Sequence, residues 1–167
     1  MNWGLTPKGT TNTHSVFRYK TYNTPSEKIL SKHSWETAIR QYRCLIPVNG
    51  FYLLGEKSDQ QAFYLQVKDT PLVALAGIYS SWQDEAGEHA TYSIITSEAP
   101  ESLHIATRLP IIIEKSEEAR WLDPTVTDAN ALFDMLRPTS NEYLTITRVG
   151  ADIYSQKIDS SKLILPL

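Results

Sequence analysis

The chain is poor in cysteine, in clustered glycine and in long apolar runs, and each shortage excludes something. One cysteine, Cys44, in 167 residues allows no intrachain disulfide and no cysteine-based metal cage. The seven glycines are scattered, with no phosphate-cradling loop and no Gly-x-Ser-x-Gly among them. His14, His33, His89 and His104 lie far apart and no pair has ligand spacing, so no metal is expected, and nothing calls for a cofactor. No stretch reaches the roughly 20 apolar residues of a membrane helix. Met1-Asn2-Trp3-Gly4 has no basic-then-apolar leader. A soluble, cytoplasmic chain without membrane contact is the expectation. The apolar Trp3-Gly4-Leu5 only one residue behind Met1 is unusual, because termini are ordinarily loose and polar.

What is present suits one real core. The composition is 41% apolar and 21% charged, too apolar for a disordered chain, and the length suits a single domain over 1–167. A monomer is expected. The formal charge of −3 conceals a split. Residues 1–50 hold seven Lys/Arg and two Glu, a balance of +5, against nine basic and seventeen acidic residues in the remainder. Such a split can set a basic patch on one face, as a phosphate backbone requires, or be ordinary surface scatter.

The pattern along the chain is mostly strand. Trp35, Ala38, Ile39 and Tyr42 fall at i, i+3, i+4, i+7, one stripe of a three-turn helix opening near Ser31 or Ser34. Cys44 to Ile46, Phe51 to Leu54, Phe63 to Val67, Leu72 to Tyr79, Thr91 to Thr96, Leu109 to Ile113 and Tyr143 to Val149 read as strands. Asn49-Gly50 reads as a turn, and Gln83 to His89 as another. Helices are expected at Ser97 to Leu103, Ser116 to Leu122 and Thr127 to Leu136. The sum predicts an α+β fold, a curled, barrel-like antiparallel β core with peripheral helices. The βαβ rhythm of a doubly wound fold is absent.

Few residues offer chemistry. Cys44 sits in an apolar strand pattern, where a free cysteine behaves as a small hydrophobe. Asn23, in Tyr-Asn-Thr-Pro, reads first as a turn residue. Glu27 is placed to cap or ion-pair the turn that Pro25 opens. Arg108, just before a strand, suits a phosphate or a carboxylate. Trp3 is either a platform for an unstacked base or a core plug.

These segments resemble one family in series. Trp3-Gly4-Leu5-Thr6-Pro7 resembles the Trp-Gly-Leu-Ile-Pro block of the SOS-response-associated peptidase (SRAP) family. Tyr22-Asn23-Thr24-Pro25-Ser26-Glu27 resembles its Asn-Ala-Arg-x-Glu-Thr segment. Arg43-Cys44-Leu45-Ile46-Pro47-Val48-Asn49-Gly50-Phe51-Tyr52 resembles Arg-Cys-Leu-Ile/Val-Pro-Ala-x-Gly-Phe-Tyr-Glu-Trp. Ala74 to Tyr79 with Trp82, Ser93 to Ala99, Arg108 to Ile112, Trp121-Leu122 and Leu163 to Pro166 continue the series in order.

The resemblance implies a channel for single-stranded DNA and capture of abasic sites as part of a DNA damage response. Family members form a thiazolidine between an N-terminal cysteine and the ring-opened sugar aldehyde. An asparagine, a glutamate and a histidine assist, and the same cysteine is linked to autoproteolysis. By this resemblance Asn23 and His104 are the catalytic candidates, and Trp3, Pro7, Asn23, Arg43 and Arg108 the DNA-binding ones. This sequence departs from the pattern. Asn2 follows Met1, Pro25 stands for the family arginine, Leu53 for the glutamate and Ala106 for the histidine, with His104 two residues earlier. The family's N-terminal segment is expected to be missing. Three readings stay open: a silent member that still binds DNA, an active crosslinking enzyme whose cysteine-bearing front is absent from this chain, and a structural or protein-binding descendant without a DNA role.

Overall fold

The computed structural model describes residues 1–6, 21–31, 33–54, 61–85, 87–155 and 158–167. Two sheets and three short helices carry the fold. β1 (Asn2–Trp3), β2 (Asn23–Pro25), α1 (His33–Gln41), β3 (Arg43–Val48) and β4 (Phe51–Leu54) come first. β5 (Ala62–Val67), β6 (Val73–Asp84), β7 (Gly87–Glu98), β8 (Arg108–Pro110) and β9 (Ile112–Ile113) follow. α2 (Glu118–Leu122), α3 (Ala129–Met135) and β10 (Leu144–Val149) close the series.

The larger sheet is built on the β6–β7 hairpin, twelve residues a side, in register from Gly77–Ile94 to Asp84–Gly87. Gly87 closes it with φ +118°, a conformation that costs glycine little. β3 flanks β6 as the edge strand, where Pro47, lacking an N–H, is tolerated. β1 and β2 lie end to end along β7, and both run parallel to it. Past Gly77–Ile94 the hairpin strands part. The β8–β9 stretch fills the fork, β8 pairing β7 and β9 pairing β6. Ile111 joins both sides: its N–H donates to Ile95 O at 2.9 Å, and its carbonyl accepts from Ala76 N–H at 2.8 Å. The second sheet, β10-β5-β4, is antiparallel.

The α+β class stands, but the curled, barrel-like antiparallel core does not. The large sheet is mixed, its path β1-β7-β6-β3 is open at both ends, and β4, β5 and β10 form a separate sheet. No sheet among the described residues closes or curls strongly. Period-2 alternation reports a half-buried strand but not the direction of its neighbour. Strands of two and three residues carry no period at all. The helix expected from Ser97 to Leu103 is also absent. β7 runs on to Glu98, because Ser97 and Glu98 pair with Leu109 and Arg108.

The helices cover one face of the large sheet. Trp35, Ala38 and Ile39 of α1, Trp121 of α2, and Leu132 and Met135 of α3 pack against Ala76, Ile78 and Ile95. Asp128 caps α3, its carboxylate accepting from Ala131 N–H at 2.9 Å. A second core of Leu65, Leu103, Leu109 and Leu144, with Phe51 and Leu53 against it, lies under the small sheet. Asn49-Gly50 carries the chain from one sheet to the other. A Cβ on Gly50 would stand 2.4 Å from the Tyr64 ring and 2.7 Å from Leu65 O, so this crossing point has no room for a side chain.

Candidate functional site

The face of the large sheet away from the helices meets the small sheet in a groove of about 480 Å³. Ile94 and Thr96 of β7 and Leu75 of β6 form its floor, residues 51–54 of β4 one wall, and Trp3, Asn23 and Arg108 its rim. The lining is mostly apolar, so polar groups on the rim carry the directional contacts.

Trp3 is held by its edge. Its Nε1–H donates to Tyr22 O at 2.8 Å, and its ring meets the Tyr22 ring at 73° with centroids 6.2 Å apart. The same Tyr22 carbonyl accepts from Ile94 N–H at 2.9 Å, which ties that anchor to the sheet. The indole nevertheless stays 53% exposed. Gly4 follows at φ +119° and donates to Tyr92 O at 2.8 Å, turning the chain away behind the indole. Asn23 is exposed in β2, opposite Ile94. It is a strand residue and not the turn residue its Tyr-Asn-Thr-Pro setting suggested.

Arg108 closes one end of the groove. Its Nε donates to Thr96 Oγ1 at 3.0 Å, and its Nη2 to Thr96 O at 2.8 Å and to Glu27 Oε2 at 2.8 Å. The other Glu27 oxygen accepts from Glu98 N–H at 3.2 Å. Partial burial pushes the Glu27 carboxyl up, but hydrogen bonds from its own N–H, from Arg108 and from Glu98 N–H, with the Arg108 charge, outweigh it. The result lies below the ordinary 4.5. A depressed carboxyl stabilises the fold fully above its unfolded value, and that contribution disappears as pH falls through the lower folded value. The pair therefore holds at neutral pH, although its exposure to solvent keeps its worth small.

Four expected site residues or positions converge here: Trp3, Asn23, Leu53 and Arg108. Three do not. His104 is exposed on a turn and does not line the groove. Arg43, expected at DNA, is 8% exposed on the helix side, with its guanidinium donating to the carbonyls of Ile39, Arg40, Trp121 and Asp123. Pro7 lies outside the described residues. The rest of the β4 wall around Leu53, Thr96 beneath Arg108, and Ile153 were not anticipated. A short apolar run such as Phe51 to Leu54 looks alike whether it faces a core or a groove.

Leu53 leans on the second core and lines the wall. It has no atom that can carry charge or move a proton. Cys44 lies on the groove side of β3, opposite Gly77, where a Cβ would stand 2.8 Å from Sγ. Burial pushes its thiol up to about 11, so it is a thiol and not a thiolate at neutral pH. Alkylation by iodoacetamide at neutral pH is expected to run at least about tenfold slower than for an ordinary cysteine of pKa about 8.5. Urea unfolding should restore the ordinary rate, and a fast native rate would contradict the burial.

The fold and the groove thus define an α+β domain with an open, largely apolar cleft between two sheets and an aromatic, amide and guanidinium rim. The chain belongs to the SOS response associated peptidase (SRAP) family, whose profile matches residues 1–156. Among its relatives is the abasic site processing protein YoqW of Bacillus subtilis (strain 168), 29% identical over 168 residues, covering 98% of this chain and 74% of that protein. YoaM of the same organism bears the same description at 28% identity, covering 98% and 73%. HMCES of Xenopus tropicalis, also an abasic site processing protein, is 26% identical, covering 84% of this chain and 49% of that one. A crystal structure from Bacteroides thetaiotaomicron superposes with a TM-score of 0.87 at 27% identity, covering 99% of this chain and 75% of that chain. A phage-related protein of Bordetella bronchiseptica shares the fold at a TM-score of 0.65 and 21% identity, covering 98% and 74%.

Proposed function

We propose that the groove holds single-stranded DNA at an abasic site, and that the groove residues of this chain bind the strand without linking to it covalently. The observation that carries this is the rim. A half-exposed indole, anchored by its polar edge, stands beside an amide and a guanidinium at the mouth of an apolar cleft. Unpaired bases stack on such a ring without regard to sequence. An abasic nucleotide leaves a gap in the stack, which apolar walls can enter. The Asn23 amide can donate to and accept from the sugar oxygens of that nucleotide. Arg108 suits a phosphate, but Glu27 already engages it, so binding rests on stacking more than on charge.

The silent chemistry follows from the same wall. General acid–base catalysis needs a titratable group within hydrogen-bond reach of the reacting atoms. Leu53 supplies none where the family resemblance puts a glutamate, His104 stands away from the groove, and the Cys44 thiol keeps its proton. The relatives described as abasic site processing proteins support the substrate class.

The test compares a fluorescent single strand carrying one abasic site with the intact strand and with a duplex. Anisotropy at low salt is expected to show binding to both single strands and weaker binding to the duplex. A denaturing gel after heating should show no crosslink. Trp3→Ala is expected to weaken single-strand binding by about 5- to 150-fold, one stacked base at about 1–3 kcal/mol. A chain that binds no single strand, or one that yields a heat-stable adduct, would overturn the reading.

A further inference from the structure

Next to the groove, the same sheet face continues as a row of aromatic rings. Trp3 of β1 stands in register with Tyr92 of β7, and Tyr92 with Tyr79 of β6. One step past the registered pair Arg43–Ile78, Tyr79 meets Tyr42. The Tyr79 N–H donates to Tyr42 O at 2.8 Å, and the two rings lie edge to face at 72° with centroids 5.6 Å apart. Cross-strand partners project from the same face of a sheet. That face is the groove's: Tyr92 alternates along β7 with Ile94 and Thr96, and Tyr79 along β6 with Leu75, all three of which line the groove. Over residues 91–95 burial agrees: Thr91, Ser93 and Ile95 are buried, Ile95 among the helix residues, while Tyr92 and Ile94 are only half-buried.

The row is not packed away as a core would be. It ends at Trp3, 53% exposed, and at Tyr42, 41% exposed. Its members follow one another at about the inter-strand spacing of 4.8 Å. An extended single strand can meet such a series, because every unstacked base needs one π-face. The first ring of the row is also the ring on the groove's rim, so a strand leaving the groove past Trp3 has this surface directly ahead.

We infer that Trp3, Tyr92, Tyr79 and Tyr42 form a stacking platform that carries the unpaired bases flanking the groove across the sheet toward edge strand β3. The inference rests on the groove binding single-stranded DNA. It adds a direction, a longer footprint and an energetic signature. Stacking on an uncharged ring neutralises no phosphate, so the rings themselves add little to the salt dependence. Lengthening the strand should raise affinity while leaving the salt slope nearly unchanged.

The test uses oligothymidylates of about 4 and about 12 nucleotides, within the span of known single-strand sites. The double variant Tyr42→Ala/Tyr79→Ala is expected to lose about 5- to 150-fold in affinity for the long strand per base unstacked. It should keep wild-type affinity for the short one, which the groove and Trp3 hold. Tyr42→Phe/Tyr79→Phe keeps the rings and should bind as wild type. Undiminished long-strand binding by the alanine pair overturns the platform and leaves the groove reading standing. A wild-type chain that binds neither strand overturns both. Should the alanine pair unfold, ultraviolet crosslinking of a bromodeoxyuridine-substituted strand to the wild-type chain decides: adducts on Tyr79 or Tyr42 support the platform, and adducts confined to Trp3 overturn it.

Discussion

Arg43→Met is expected to lower the unfolding free energy by about 3–5 kcal/mol, the cost of breaking a buried charged group's network, and to drop the melting temperature by roughly 6–20 °C at this chain length. Four carbonyls converge on the guanidinium: Ile39 O and Arg40 O from the end of α1, and Trp121 O and Asp123 O from the end of α2. These carbonyls belong to the last turns of two helices, where backbone acceptors lack intrahelical partners and the helix dipole is negative. A cation there satisfies acceptors and dipole together. Burial lowers the Arg43 pKa against a smaller opposing pull from Asp123, and an arginine guanidinium nevertheless stays charged at any working pH. Methionine fills similar volume but donates nothing, so buried carbonyls are left unpaired, the expensive half of the asymmetry in hydrogen-bond energetics. Lysine should recover only part of the loss, since one ammonium cannot reach four acceptors arranged for a planar fork. Urea unfolding monitored by circular dichroism measures each value. A loss under about 1 kcal/mol for Arg43→Met would show that the network is worth no more than a surface pair.

Arg43 also shows where sequence reading reached its limit. Its neighbours Cys44-Leu45-Ile46 announced a strand, and a strand is there. The family resemblance puts the cation at DNA. Its role was fixed instead by α2, some 80 residues away, whose end supplies Trp121 O and Asp123 O. No local period encodes that contact. Trp3, Asn23 and Arg108 each admitted a plain structural reading, as core plug, turn residue and carboxylate partner, and only the family resemblance grouped them as site candidates; the structure brings all three to one rim. The partner of Arg108 was legible only as one of two possibilities, and the structure places the Glu27 carboxylate there. α1 was readable because Trp35, Ala38 and Ile39 keep helical spacing and bury on one side. β1 and β2 were not, since a two-residue and a three-residue strand exist only because β7 offers an edge. The barrel expectation failed for a related reason. Residues 51–54 are a short apolar run and residues 63–67 alternate as well as any strand of the main sheet, and neither pattern says which sheet a strand joins.

Trp121→Ala should cost about as much again, roughly 3–5 kcal/mol, and the two losses should not add. Trp121 is fully buried among Trp35, Ile39 and Leu132, so truncation opens a cavity that short α2 cannot collapse into. Its Nε1–H donates to Cys44 O at 2.9 Å, and its ring faces the Arg43 guanidinium with Cζ 5.7 Å from the centroid, within reach of a cation–π contact. Trp121→Phe keeps most of the packing and removes the donor to Cys44 O, and should cost less. In a double-mutant cycle with Arg43→Met, a coupling of about 0.5–3 kcal/mol is expected, the range for residues that share one network. Strict additivity would mean that the indole and the guanidinium stabilise the fold independently. The coupling bears on the other face of the sheet. The indole donor and the guanidinium both act on β3, through Cys44 O and through Arg43 itself. β3 is an edge strand, held on one side by β6 alone. The residue that leads into it is Tyr42, the last ring of the aromatic row. Loosening the latch on the helix side should therefore weaken long-strand DNA binding on the groove side before the domain unfolds, while the short strand at Trp3, anchored through Tyr22 and β7, is retained. Loss of both affinities in parallel would instead mark simple global unfolding.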